Sequence, residues 1–194
     1  MWELEERIVL EGVVIGHQIL KVDSFLNHQI DPAFIMKLGE ELADKFKDVG
    51  VTRVLTVEAS GIAVAMAAGL KLGVPVVFAK KKQAATQEGD VYCADVFSYT
   101  RQESTEIAVA KRFLEATDVI LIIDDFLAHG EALQGLVDIV RQSGAALAGA
   151  GIVVEKRFQH GGDRLRKAGV RIESLASIEA MEQGKIVFSK EEPE

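Results

Sequence analysis

The chain has 194 residues, of which 48% are hydrophobic and 27% charged, a balance that predicts one globular domain over residues 1–194. Its formal net charge of −8 disfavours contact with a nucleic-acid backbone, and its single cysteine, Cys93, excludes an intramolecular disulfide. The N-terminus lacks the basic segment of a signal peptide, and the most apolar run, around Val119–Ile123, is far shorter than the ~20 residues that span a bilayer. We therefore expect a cytoplasmic protein that binds neither nucleic acid nor membrane.

The first 50 residues predict two helices separated by an irregular segment. Glu3–Leu10 has the pattern of a short helix, and Gly12 ends it. A second helix begins at Asp31 and Pro32, because aspartate suits a helix N-cap and proline suits the first turn. The segment between them, Val13–Ile30, shows no regular pattern and is predicted to be irregular.

The rest of the chain alternates strands with helices. The predicted strands are Arg53–Val57, Val76–Ala79, Asp118–Ile123, Ala148–Glu155 and Val170–Leu175, and the predicted helices are Gly61–Leu72, Ala132–Arg141 and Gly162–Lys167. Val91–Tyr99 predicts an exposed hairpin arm paired with Glu106–Ala110, and the polar segment Lys80–Asp90 predicts a mobile loop. Alternating strands and helices predict an α/β fold with a mostly parallel central sheet flanked by helices.

A pair of acidic residues and a glycine-bearing loop follow one predicted strand. Ligands of open α/β sheets bind at the carboxyl ends of the strands, which is where Asp124 and Asp125 are expected. Adjacent carboxylates can accept hydrogen bonds from the vicinal hydroxyls of a ribose. The loop Ala128–Ala132 opens the next helix, where backbone amides attract phosphate, and Gly130 lets the backbone approach closely. The segment predicts a site for a phosphorylated ribose; the alternative is a solvated acidic strand end.

The stretch IIDDFLAHGEA resembles the phosphoribosyl-diphosphate loop of the type I phosphoribosyltransferases. It departs from that pattern because His129 and Ala132 stand where the family has threonine or serine, so the backbone amides must bind the phosphate. The stretches KVDSFLNHQID (Lys21–Asp31), VEASGIA and LKLGVPVVFA and the pair Glu155–Lys156 are similar to the bacterial xanthine phosphoribosyltransferases. The likeness covers nearly the whole chain.

The resemblance implies a type I phosphoribosyltransferase fold with a small hood, formed largely by residues 1–30, and a mobile loop. It implies transfer of the 5-phosphoribosyl group from 5-phosphoribosyl 1-diphosphate to xanthine, which gives xanthosine 5′-monophosphate and diphosphate in purine salvage. Asp124 and Asp125 would be the catalytic pair. The contacts to 5-phosphoribosyl 1-diphosphate would be Ala128, His129, Gly130, Glu131, Ala132, Ala59, Ser60 and Lys81. The partner in solution would be a second copy, forming a homodimer.

Two basic or amide-rich segments are candidates for the diphosphate. The turn Glu58–Gly61 opens a helix, and the run Lys80–Lys82 supplies the positive charge that the whole chain lacks. A plain turn and a solvated basic run are the alternatives. Arg101, further along the arm, could close over the diphosphate. Mg²⁺ would be held mainly by the diphosphate, and the spacing of the four histidines predicts no protein metal site.

The resemblance assigns recognition of the base to Leu20, Asn27 and Lys156. A lysine ammonium donates hydrogen bonds and cannot accept them, so Lys156 suits the 6-oxo group and N7 of xanthine and disfavours the 6-amino group of adenine. The amide of Asn27 could donate to the 2-oxo group. Phe158 could cover the ring, or it could be a core aromatic.

Three other functions stay open at this point. Guanine or hypoxanthine could replace xanthine as the base. A regulator that senses 5-phosphoribosyl 1-diphosphate would need a basic DNA-binding extension, which this acidic chain lacks. A signalling receiver domain would carry its acidic pair near the start of the chain, whereas these acids are at positions 124 and 125.

Overall fold

A computed structural model describes residues 1–81, 90–98, 103–182 and 184–189, and within them the chain forms five α-helices and ten β-strands. The helices are α1 (Trp2–Glu11), α2 (Pro32–Asp44), α3 (Gly61–Leu72), α4 (Glu131–Ser143) and α5 (Gly161–Lys167). The strands are β1 (Val13–Ile15), β2 (Ile19–Lys21), β3 (Arg53–Val57), β4 (Val76–Lys81), β5 (Val91–Ser98), β6 (Glu103–Ala110), β7 (Val119–Leu127), β8 (Ala146–Lys156), β9 (Ile172–Glu182) and β10 (Lys185–Phe188).

Eight of the strands form one sheet, in the order β10-β9-β8-β7-β3-β4-β6-β5. The five central strands, from β9 to β4, run parallel to one another, and antiparallel strands flank them at both edges. The predicted α/β fold with a mostly parallel central sheet is confirmed. The carboxyl ends of the parallel strands meet along one edge of the sheet, which is the usual position of a ligand site.

The sheet is buried on both faces, as the continuous apolar run of β7 predicts. Successive side chains point to opposite faces of a strand. Leu121 and Ile123 pack in a core with the N-terminal segment, α2 and α3, whereas Ile120 and Ile122 pack in a second core with α4 and the arm. Within the described residues, no helix is both long and apolar enough to cross a membrane.

The hood has more regular structure than the sequence analysis predicted. The prediction of an irregular Val13–Ile30 is wrong in part, because β1 and β2 form a small antiparallel hairpin that turns at Gly16. One π-helical turn, Asp23–Asn27, follows it and buries Phe25. Strands of three residues are too short for an alternating pattern to be recognised in the sequence.

Two predicted helix boundaries are confirmed by their capping contacts. Gly12 ends α1, and its backbone N–H donates to the carbonyl oxygen of Ile8. The side chain of Asp31 caps α2 by accepting a hydrogen bond of 3.2 Å from the backbone N–H of Phe34. Asp31 also forms an ion pair of 2.8 Å with Arg7 of α1. The residue that caps α2 therefore joins this helix to α1 in the hood.

Several predicted strands continue further than the sequence analysis placed them. The strand β7 extends to Leu127, so Asp124 and Asp125 lie inside its last residues and not after its end. Lys80 and Lys81 belong to β4 and not to the predicted loop. Residues 82–89 of that loop, which include Lys82, lie outside the described part of the chain, and so does Arg101. The arm is confirmed as the antiparallel pair β5–β6, and β6 also joins the main sheet through β4. The prediction that the arm is exposed is wrong in part, because Ile107, Ala108 and Val109 of β6 are buried.

Candidate active site

A cavity of ≈ 690 Å³ opens at the carboxyl ends of the parallel strands. Of the predicted site residues, it brings together Asn27, Ser60, Lys81, Asp124, Asp125, Ala128, His129, Gly130, Glu131 and Ala132. Leu20, Ala59 and Lys156 are not among the residues that line it. Val96 and Thr105 of the arm also line it, so the hood, the sheet and the arm all meet at this cavity.

The two aspartates are almost completely buried at the floor of the cavity. The backbone N–H of Asp125 donates a hydrogen bond of 3.0 Å to Oδ1 of Asp124. Burial raises the pKa of Asp124 well above its ordinary value, and the neighbouring Asp125 carboxylate raises it further. A cation or a hydroxyl donor at the site would relieve the repulsion between the two carboxylates.

The aspartate pair packs against the start of α3 with no spare room. A Cβ atom added to Gly61 would lie 2.4 Å from Oγ1 of Thr56 and 2.9 Å from Oδ1 of Asp124. Glycine is therefore required at this position, because distances below 3.0 Å are not tolerated. Oγ1 of Thr56 is buried and has no hydrogen-bond partner among the described residues.

The loop that follows the aspartates has the geometry of an anion site. Gly130 has a φ of 84°, a left-handed conformation that favours glycine, and α4 begins at the next residue. Within the described part of the chain, no side chain caps this end of α4. The first backbone N–H groups of the helix therefore remain available for an anionic ligand, and the helix dipole is positive there.

The candidate diphosphate end of the cavity is formed by the turn between β3 and α3 and by the end of β4. Glu58 and Ser60 line the cavity, and the peptide bond between Glu58 and Ala59 is cis. The backbone N–H of Lys81 donates a hydrogen bond of 2.7 Å to Oε1 of Glu58, which holds the two segments together. The side chain of Lys81 supplies a positive charge to the same cavity that the aspartates line.

Lys156 lies beside the cavity at the end of β8. Its Nζ donates a hydrogen bond of 2.9 Å to the backbone carbonyl oxygen of Gln18 in the hood and lies 5.2 Å from the ring centre of Phe126. Burial lowers the pKa of Lys156 from its ordinary value, and the carboxylate of Asp125 opposes part of that shift. Lys156 thus contacts the hood directly and the aspartate pair only through its charge.

The hood residues differ in how they reach the site. Asn27 lines the cavity, whereas the side chain of Leu20 is buried in the core beneath the hairpin. Phe158 packs against the core and is not among the lining residues, which favours its interpretation as a core aromatic. Phe126, which follows Asp125 directly, lines the cavity instead and was not singled out from the sequence.

A buried ion pair supports the end of β8 immediately before Lys156. The carboxylate of Glu155, which is 1% exposed, accepts hydrogen bonds of 2.6 and 2.7 Å from Arg166 and of 2.6 Å from Ser174. Burial alone would raise the pKa of Glu155, but the hydrogen bonds from Arg166 and Ser174 outweigh it, and the pKa lies below its ordinary value. The resemblance pointed to Glu155 but not to its partners.

No group of three or more His, Cys, Asp or Glu side chains is arranged to hold a metal ion in the regions that the structure describes. Glu58, Asp124 and Asp125 nevertheless all line the cavity. Carboxylates of this kind suit Mg²⁺ that is bound chiefly by a phosphate ligand and needs only one or two protein oxygens. The site fits such an ion only as part of a phosphate complex.

Comparison with known proteins identifies the family. The model of the phosphoribosyl transferase domain family matches residues 22–180. The xanthine phosphoribosyltransferase of Heliobacterium modesticaldum is 70% identical over 97% of this chain and 100% of that protein. The xanthine phosphoribosyltransferase of Moorella thermoacetica is 56% identical over 95% of this chain and 94% of that protein. The aspartate pair, the loop and the lysine of β8 all occur within the matched region.

Solved structures share the fold. The adenine phosphoribosyltransferase of Rhodothermus marinus superposes with a TM-score of 0.75 at 19% identity, over 92% of this chain and 100% of that chain. The APRTase of Giardia lamblia, complexed with 9-deazaadenine, gives a TM-score of 0.70 at 25% identity, over 82% and 86% of the two chains. The chain is therefore a member of the phosphoribosyltransferase family, in the group that includes the xanthine phosphoribosyltransferases.

Proposed function

We propose that this protein transfers the 5-phosphoribosyl group from 5-phosphoribosyl 1-diphosphate to xanthine, releasing diphosphate and xanthosine 5′-monophosphate. The observation that supports it most is the position of the buried pair Asp124–Asp125 beside the uncapped start of α4, in one cavity. The pair suits the ribose hydroxyls, and the amides suit the 5-phosphate. The names of the relatives with 70% and 56% identity support xanthine as the base.

The aspartate pair has two tasks in this reaction. Asp124 and Asp125 hold the ribose through its 2′ and 3′ hydroxyls, which fixes C1 relative to the incoming base. Departure of diphosphate leaves positive charge at C1, and the pair places negative charge near it. Asn27 of the hood and Val96 and Thr105 of the arm line the same cavity, so both segments border the reacting carbon.

The diphosphate leaves toward the turn at Glu58–Ser60. Ser60, directly before α3, and Lys81 line this end of the cavity, where negative charge develops on the leaving group. Mg²⁺, when bound with the substrate, neutralises part of the same charge. The carboxylate of Glu58 is close enough to the amide of Lys81 to keep this wall in place, as their 2.7 Å hydrogen bond indicates.

Lys156 and Asn27 select the base. Lys156 donates to the 6-oxo group and N7 of xanthine, and its charge stabilises a partly ionised base. Asn27 donates to the 2-oxo group, which hypoxanthine lacks and which guanine replaces with an amino group. Leu20 is buried in the core beneath the hood hairpin and supports the segment that carries Asn27. Phe126 lines the cavity and lies beside Lys156, in a position to contact the base.

We propose a homodimer as the working form. Large apolar side chains are exposed on α3, where Met66 and Leu70 are four residues apart and share one face, and on α1, where Val9 and Leu10 are exposed. Exposed apolar surface of this kind is typical of protein interfaces. Light scattering should give twice the mass of the chain, and a monomer at assay concentration would contradict the proposal. The cytoplasmic location stays a prediction from the sequence.

A base panel tests the function. The protein, 5-phosphoribosyl 1-diphosphate and Mg²⁺ are incubated with xanthine, hypoxanthine, guanine or adenine, and nucleotide formation is followed by absorbance. We expect the highest kcat/KM for xanthine. A preference for guanine or hypoxanthine would identify the protein as a guanine or hypoxanthine phosphoribosyltransferase instead. A preference for adenine would overturn the roles of Asn27 and Lys156. Binding of 5-phosphoribosyl 1-diphosphate without turnover of any base would support a sensor.

A further inference from the structure

The segment after β8 contacts the back of the phosphate-binding loop at two adjacent carbonyl groups. The backbone N–H of Gly161 donates a hydrogen bond of 3.2 Å to the carbonyl oxygen of Ala128. Nη2 of Arg164 donates a hydrogen bond of 3.0 Å to the carbonyl oxygen of His129 and another of 3.0 Å to Oε1 of Glu131. Neither Gly161 nor Arg164 is among the residues that line the cavity.

Holding these carbonyl groups fixes the direction of the amides. In a trans peptide the C=O and N–H groups point in opposite directions. The peptides that carry the oxygens of Ala128 and His129 also carry the N–H groups of His129 and Gly130. Because both oxygens point at the α5 segment, both N–H groups point away from it. These amides matter more here than in relatives with hydroxyl residues, since His129 and Ala132 offer no hydroxyl group.

The packing at Gly161 leaves the loop no freedom to relax toward α5. A Cβ atom added to Gly161 would lie 2.3 Å from the carbonyl oxygen of Ala128 and 2.6 Å from the backbone nitrogen of Gly130. Both are backbone atoms of the loop, so a side chain at position 161 would displace the loop itself. A Cβ atom on Gly130 would in turn lie 3.2 Å from Cα of Gly161, so the two segments are in close contact.

We infer that Arg164 and Gly161 are positioning residues that orient the loop amides for the 5-phosphate of the substrate. The inference rests on the proposed function, because it assigns the loop to the phosphoribosyl group. Arg164 acts through the backbone of His129 and through Glu131 and not by direct contact with the phosphate. Both hydrogen bonds come from Nη2 of Arg164, and the flexible stem of a lysine does not hold its ammonium in that position, so lysine replaces arginine only in part.

The test is steady-state kinetics of Arg164→Ala, Arg164→Lys and the wild type with both substrates varied. We expect Arg164→Ala to raise the KM for 5-phosphoribosyl 1-diphosphate by about tenfold, the change that loss of a charge-assisted hydrogen bond gives. The KM for xanthine should change by less than about twofold, a difference within the usual effect of surface substitutions. Arg164→Lys should recover part of the loss. Arg141→Ala, which removes an exposed ion pair with Asp138 elsewhere on α4, is the matched control and should match the wild type.

A second variant separates the two contacts of Arg164. Glu131→Gln keeps an acceptor but removes its charge, so it should raise the KM for 5-phosphoribosyl 1-diphosphate less than Arg164→Ala does. Gly161→Ala should raise the same constant, provided that its circular dichroism spectrum matches the wild type. An unchanged KM in Arg164→Ala, or equal increases for both substrates, would overturn the inference. An inactive wild type would instead refute the proposed function, so the two failures are distinguishable.

Discussion

At the scale of single residues, the site places ionisable side chains where burial disfavours their charged forms. Asp124 and Asp125 are buried side by side, and Lys156 is half-buried between a backbone carbonyl group and an aromatic ring. Burial disfavours the charged forms of all such groups, and it raises the pKa of Asp124 and lowers that of Lys156. Shifted pKa values at and beside one cavity are typical of a functional site.

The first prediction concerns the stability of the aspartate pair. A carboxyl group with a higher pKa in the folded than in the unfolded state stabilises the fold less as the pH rises above about 4. Asp124→Asn should therefore unfold at a higher temperature than the wild type at pH 8, by about 2–4 °C, the shift that about 1 kcal/mol gives in a domain of this size. The difference should shrink toward pH 5. Thermal melts at both pH values measure this difference. A melting temperature of Asp124→Asn below that of the wild type at pH 8 would contradict repulsion between the two carboxylates.

The second prediction concerns Lys156. Because burial lowers its pKa, kcat/KM for xanthine should fall on the alkaline side at a lower pH than a free lysine would give. Lys156→Arg keeps its charge throughout and should lose this fall, whereas Lys156→Met should raise the KM for xanthine by about 10–100-fold. Lys185→Met, an exposed lysine on β10, is the control. If kcat/KM for xanthine still falls at the same alkaline pH in Lys156→Arg, a group other than Lys156 is responsible for the titration.

At the scale of secondary-structure elements, the end of β8 organises both halves of the site. Glu155 forms the buried ion pair with Arg166 of α5, and the next residue, Lys156, reaches the hood. The same helix contacts the loop Ala128–Ala132 through the hydrogen bond from Arg164 to His129. The chain from Lys156 to the end of α5 therefore contacts both the hood and the loop Ala128–Ala132.

Arg166→Met provides the third prediction. It leaves the Glu155 carboxylate buried without its cation, which costs about 3–5 kcal/mol in the free energy of unfolding. The exposed pair Arg141–Asp138 should contribute about 0–1 kcal/mol, so Arg141→Met serves as the comparison. Urea unfolding at pH 7 measures both. Since the pKa of Glu155 is lowered in the fold, the contribution of the pair is present above about pH 4 and is lost as the pH falls further. A loss below 1 kcal/mol at pH 7 would contradict this account.

Elements with a clear period and a cap could be predicted from the sequence. The helix Gly61–Leu72 and the strand Arg53–Val57 have the predicted boundaries, because apolar periodicity and flanking glycines coincide there. The hood hairpin and β10 were missed, since strands of three or four residues carry too little pattern. In the site, Asp124, Asp125 and Gly130 could be identified from local sequence.

The supporting contacts of the site could not be predicted in the same way. Arg164 contacts His129 across 35 residues, and Arg166 contacts Glu155 across 11, and no spacing rule connects such pairs. Phe126 could have been found, because an aromatic residue directly after the acidic pair must occupy the same strand end. The burial of Leu20 depends on the hairpin that the sequence did not reveal.

At the scale of the whole molecule, three separately packed parts surround one cavity. The hood packs on one core, α4 and the arm on the other, and the sheet separates the two cores. A ligand that touches Asn27, the aspartate pair and the arm connects all three parts. Substrate binding should therefore stabilise the complete fold and not only the loop that it contacts.

The fourth prediction follows from this arrangement. At 100 times its Kd, 5-phosphoribosyl 1-diphosphate with Mg²⁺ should add about 2.7 kcal/mol to the free energy of unfolding, which raises the melting temperature by about 5–10 °C. Removal of Mg²⁺ with a chelator should reduce the shift, because the diphosphate charge then meets the aspartates without a cation. Differential scanning fluorimetry measures both states. An equal shift in melting temperature with and without Mg²⁺ would show that the ion does not contribute to binding of 5-phosphoribosyl 1-diphosphate.

Turnover by wild type and Asp125→Asn tests the central claim most directly. Formation of xanthosine 5′-monophosphate from xanthine and 5-phosphoribosyl 1-diphosphate is measured for both proteins, together with their circular dichroism and melting temperature. We predict that the wild type forms the nucleotide and that Asp125→Asn lowers kcat on the order of 10²-fold, with the fold intact. Near-normal turnover in a folded Asp125→Asn protein would contradict the role of the aspartate pair in phosphoribosyl transfer.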